Sequence, residues 1–179
     1  MLLLLMLRSA LFAFVGLAFF VYWVVADPSF EESADQSEWS YVLAFSGVIL
    51  LLAFAVPTLA HLVGGRLTFR VSLVAAAGAT LSSVANIFED GLQMSWVFFV
   101  FILGTAFMQL GLLALTGVIA FSGRGGYRLL ALVPAGTIAA IILFVVAGGP
   151  IMLASWITAA MLALALPTST TAQAARGMS

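Results

Sequence analysis

Apolar residues run through this chain in six long blocks, and polar residues are confined to short intervals between them. The first block follows Arg8 and extends over 9–26, closed by Asp27-Pro28. The others cover 41–63, 71–90, 96–121, 129–147 and 151–166. A helix of ~20 residues rises ~30 Å, the thickness of a bilayer's hydrocarbon core. The pattern therefore predicts an all-α, polytopic integral membrane bundle of six transmembrane helices, built as three tandem hairpins. Glycine-rich breakers mark the turns at Gly64-Gly65, at Gly123 to Gly126 and at Gly148-Gly149-Pro150. The last predicts a tight hairpin between the fifth and sixth spans. Residues 27–40 form an acidic external loop that ends in Trp39, with Tyr41 just after it, at the expected water–lipid boundary. Residues 167–179 read as a polar, disordered cytoplasmic tail. The first block is kept as a helix and not a cleaved leader. Arg8 sits behind a leucine block, and Trp23-Val24-Val25-Ala26 fits the small-x-small cleavage rule poorly.

Composition supports the same solvent. The chain is 64% apolar and 7% charged, whereas a water-soluble domain carries roughly a quarter charged residues. Too little polar surface exists to cover a globule in water, so the first partner is the lipid bilayer. No basic run is present, which argues against nucleic acid. Cysteine and lysine are both absent, excluding disulfides, thiolate chemistry, cysteine-ligated metals and lysine Schiff bases. His61 stands alone, too few for a structural zinc site or bis-histidine haem. No metal and no cofactor are expected. No P-loop, dinucleotide fingerprint, HExxH or GxSxG motif occurs, so the reading leans away from an enzyme.

Charge position carries orientation. With six spans, all six arginines fall on one side and all seven acidic residues on the other. The positive-inside rule then places both termini in the cytoplasm of a plasma (inner) membrane and the acidic loop outside. Arg8, Arg70 and Arg128 each open an outgoing helix, and Asp27 and Glu89 follow the first two at equal spacing. One membrane thickness setting similar lengths explains that spacing without an internal repeat.

The third block carries the candidate chemistry. At helical spacing Gly78, Ser82, Asn86 and Asp90 share a face, with Glu89 beside them. Carboxylates within a membrane usually mark a pathway, a proton relay or a partner. The plainer reading puts Glu89 and Asp90 in water at the outer boundary, one bilayer crossing from Arg70. Gln109 is the deepest uncharged polar group, with Thr105 one turn away. Interhelical hydrogen bonding accounts for it, and a ligand contact at the midplane is the sharper alternative.

Small residues four apart (Ala75, Ala79 and Ser83; Gly136 and Ala140; Ser155, Ala159 and Ala163) predict close helix packing. The sixth block, short and rich in such residues, is the candidate for any subunit interface. Two functions follow. In the first, a small molecule or cation binds in, or passes through, an outward polar vestibule lined by Ser82, Asn86, Glu89, Asp90 and Gln109. In the second, the chain is a non-catalytic accessory subunit packed against a larger membrane enzyme or transporter, or against copies of itself. The size and six-span layout look like those of the substrate-capture subunits of energy-coupling-factor vitamin transporters, a resemblance of length and span count alone.

Overall fold

Two consecutive glycines separate the second helix from the third, and both occupy the left-handed region, Gly64 at φ 83° and Gly65 at φ 94°. Only glycine adopts such angles at little cost, so the chain reverses here within two residues. The computed structural model describes residues 2–26 and 39–166. It is all-helical: α1 (Leu2–Ala26), α2 (Trp39–Val63), α3 (Arg66–Asn86), α4 (Phe98–Ser122), α5 (Leu132–Ile142) and α6 (Phe144–Ala165). A π-helical turn, Ile87–Gly91, extends α3; 3-10 turns at Ser95–Val97 and Gly125–Ala131 lead into α4 and α5. With those extensions, six helices are long and apolar enough to cross a membrane, and the chain is an integral membrane protein.

Each helix packs against the next in sequence, and α1 closes the circle against α6. Neighbours run antiparallel. Ser9 Oγ donates to Ala160 O at 3.0 Å while Phe12 meets Trp156, so α1 and α6 count in opposite directions. The α3–α4 seam is the tightest. A Cβ on Gly104 would stand 2.7 Å from Ser82 N, and one on Gly111 would stand 2.7 Å from Ala75 Cα. The absence of side chains lets the two backbones touch, which drives association where lipid removes the hydrophobic term. Trp156, Leu52, Leu112, Leu115 and Met152 fill the centre. The small residues of α6 serve this bundle too, since Ala159 and Ala163 are buried within it.

Several boundaries differ from the sequence reading. The leucine run is helical, so α1 starts at Leu2 and Arg8 lies in its second turn. Arg66 opens α3, leaving Gly64-Gly65 alone as the turn. Trp39 and Ser40 belong to α2 and not to the acidic loop. The break between the fifth and sixth helices falls at Leu143, not at Gly148-Gly149-Pro150. Those glycines are close-approach positions inside α6: a Cβ on Gly148 would meet Ala140 O at 2.5 Å, and one on Gly149 would meet the Trp23 ring at 2.6 Å. Trp23 Nε1 also donates to Phe144 O, pinning the start of α6 to α1. The acidic stretch 27–38 and the tail 167–179 lie outside the described residues.

Candidate functional site

Alternating helix direction puts Arg8, Arg66, Arg70, Arg124 and Arg128 at one end of the bundle and Glu89 and Asp90 at the other. Between these ends, in the half nearer the acids, the centre of the circle is not filled. A cavity of about 210 Å³ remains there, and every helix contributes to its wall. Four phenylalanines come from four different helices: Phe19 of α1, Phe45 of α2, Phe101 of α4 and Phe144 of α6. Ile49, Met108 and Ile141 add aliphatic and thioether surface. Two hydroxyls, Ser82 of α3 and Thr105 of α4, are its polar groups.

The rings hold one another in place. Phe19 meets Phe144 edge-on at 5.9 Å, and Phe45 meets Phe101 at 6.3 Å between centroids, within the range where aromatic pairs attract. Ser82 is fully buried because Gly104 lets α4 lie against its backbone. Its Oγ is 3.1 Å from Thr105 Oγ1 and 3.5 Å from Phe101 O. The pair therefore shares one hydrogen bond across the seam, beside the cavity that both residues line.

The stripe foreseen on the third helix divides among different neighbours. Gly78 is a backbone contact with α4. Ser82 reaches the cavity. Asn86, 4% exposed, turns instead to α2, where its Nδ2 donates to Ser46 Oγ at 3.1 Å. Ser83 Oγ donates to Ser46 O at 2.8 Å and completes that node. Glu89 and Asp90 sit on the π-helical turn, half-buried and off the cavity wall. The wider turn, closed by Leu92 N donating to Ile87 O, ends at Gly91 against the Trp39 ring. Beyond it Gln93 takes a left-handed φ of 55°, and its amide donates to Asp90 O at 2.6 Å. Gln109 lies midway along α4, one turn from Thr105, and is likewise off the cavity wall. Its buried Oε1 has no hydrogen-bond partner among the described residues.

The phenylalanine cluster was not legible in sequence, since phenylalanine is the expected filler of any lipid-facing helix. A signal was present only in that one ring recurs at similar depth in four separate blocks. Ser46 was missed because a lone serine in an apolar block reads as a helix-packing residue. Among the described residues no group of three or more His, Asp or Glu side chains is placed to hold a metal ion. No family model, no curated protein and no solved structure matches this chain.

Proposed function

We propose that this protein binds a small, neutral, largely apolar molecule in the cavity at the centre of its six helices. One observation carries the reading: four phenylalanine rings and two hydroxyls from all sides of the bundle converge on a space that the core side chains leave open. A dry cavity of ~150 Å³ takes up a benzene-sized molecule, so this one suits a ligand of somewhat greater bulk. Neutrality follows from the wall, which carries no charge. An ion transferred there would lose its hydration with no counter-charge in return. The ligand's polar end meets Ser82 and Thr105, and its apolar body meets the rings. Of the five residues foreseen for a polar vestibule, Ser82 is the direct contact in this reading, and Asn86, Glu89, Asp90 and Gln109 are not. The arginine-bearing end faces the cytoplasm of a plasma (inner) membrane by the positive-inside rule, so the cavity sits in the outer half of the bilayer.

Native mass spectrometry of the chain, extracted mildly from its own membranes, tests the reading. A lone chain or homo-oligomer carrying a discrete, non-lipid mass supports it, and loss of that mass in Thr105→Trp ties the mass to the cavity. A consistently bare chain counts against it.

Gln109 supports a second reading, in which the chain is an accessory subunit. Its amide oxygen, buried halfway along α4, has no hydrogen-bond partner among the described residues, and lipid would offer none. The side chain as a whole is half-buried, and turned outward its amide would meet a donor on a neighbouring membrane helix. Co-purification of a second chain at fixed stoichiometry, lost in Gln109→Leu, is the result that favours this reading over the first.

A further inference from the structure

A second hollow, about 720 Å³, lies between α1 and α2 in the same half of the bundle. Phe14, Leu17, Val21 and Val25 of α1 line it and are each about half exposed. In a membrane protein such a surface faces lipid, so this groove opens sideways to the bilayer. Tyr22 forms part of its wall. The Tyr22 ring also packs on Phe45 at 5.7 Å and on Phe144 at 6.1 Å, centroid to centroid. Both of those rings line the central cavity. Tyr22 therefore links the groove to two rings of the cavity wall. The seam they close is a loose one: α1 packs far less extensively on α2 than on α6, and α2 far less on α1 than on α3. Parting α1 from α2 sacrifices less contact than opening either flank.

We propose that the groove between α1 and α2 is the route by which the cavity's ligand passes to and from the bilayer, with Tyr22 as its gate. The proposal rests on the binding reading above. Its traveller is a neutral aromatic molecule dissolved in the membrane, small enough for the inner space. Neither hollow is lined by a charged residue, so the whole path suits a molecule that partitions into lipid. Tyr22 brings a polar tip to an apolar passage, and swinging its ring aside exposes Phe45 and Phe144 to the groove.

The chain has no cysteine, so Thr105→Cys places a single thiol in the cavity. Reconstituted in lipid vesicles, this variant is treated with two thiol reagents: neutral benzyl methanethiosulfonate, which dissolves in the bilayer, and its charged sulfonatoethyl analogue, which stays in water. The neutral reagent is expected to react many times faster. Adding Tyr22→Ala should raise that rate several-fold. Adding Ala44→Trp, at an exposed position in the groove, should lower it, with the charged reagent unaffected by either. Opposite effects from the two variants are not produced by misfolding. Equal rates for the two reagents would mean that the cavity opens to water, and would overturn the route. So would a rate that neither variant moves, whether fast or vanishingly slow. Fluorine NMR of para-fluorophenol in the same vesicles separates the two ideas. A saturable bound signal with unmoved labelling rates rejects the gate and leaves the binding site standing; absence of that signal from the unaltered chain rejects the site itself.

Discussion

Ser82 Oγ and Thr105 Oγ1 lie 3.1 Å apart, joining α3 to α4 at the one level where both helices also face the cavity. The contact exists because Gly104 carries no side chain. A Cβ there would stand 2.8 Å from Ser82 Oγ, pushing the helices apart and breaking the pair. Packing and ligand recognition thus depend on the same few atoms.

Thr105→Val preserves the shape of this side chain and removes its hydroxyl. Hydrogen bonds between transmembrane helices are worth about 0.6 kcal/mol on average and up to about 1.7. The variant should lose stability within that range in a denaturant titration in detergent. A double cycle with Ser82→Ala should return a coupling of similar size. Binding of para-fluorophenol should weaken toward that of fluorobenzene, which has no hydroxyl to offer either residue.

Glycines in this bundle should divide sharply by position. Gly104→Ala and Gly111→Ala put a methyl group against the α3 backbone, and overpacking of this kind costs about 1–3 kcal/mol. Gly117 has nothing within 4 Å of where its Cβ would be. Gly117→Ala should therefore be neutral or stabilising, by up to about 1 kcal/mol from helix propensity. Thermal unfolding of the three variants in one detergent checks the contrast.

The number of spans was legible in sequence, because length and hydropathy alone decide what crosses a bilayer, and the described arginines and acids accordingly lie at opposite ends. Also legible was the packing of Ala75 and Ala79, which repeat at helical spacing and are both buried. Gly148-Gly149-Pro150 misled because a glycine pair looks the same whether it turns the chain or admits a neighbour. Here Trp23 occupies the space above Gly149, a contact between residues far apart in sequence. The stripe Ser82, Asn86, Asp90 was real as a helical face, yet two helices share it, and only the tertiary arrangement assigns Ser82 to α4 and Asn86 to α2. The cavity was illegible for the same reason: no property of Phe19 or Phe144 alone says that they will face one another.

Asn86 holds α3 to α2 through Ser46, and both side chains are buried. Asn86→Ala strands the Ser46 hydroxyl, and a buried polar group left without its partner costs about 1–3 kcal/mol. Removing both, as Asn86→Leu with Ser46→Ala, should recover part of the loss. The stabilities of Asn86→Ala and of the double variant, measured side by side with the unaltered chain, give the comparison.

The acidic pair should be dispensable for binding. Glu89→Gln with Asp90→Asn removes both charges from a turn that does not line the cavity. Affinity for a neutral aromatic ligand should stay unchanged, measured by titration in nanodiscs. A large loss would return the acids to the site and favour a cationic ligand.

The central claim is that the inner cavity takes up a small, neutral, largely apolar molecule. Fluorine NMR of para-fluorophenol, titrated against the protein in lipid nanodiscs, tests it most directly. The account predicts a second resonance, distinct from the lipid-dissolved signal, that saturates at one ligand per chain and vanishes in Thr105→Trp. A signal that only follows partitioning into empty nanodiscs, or a bound resonance that survives Thr105→Trp in a folded chain, contradicts it.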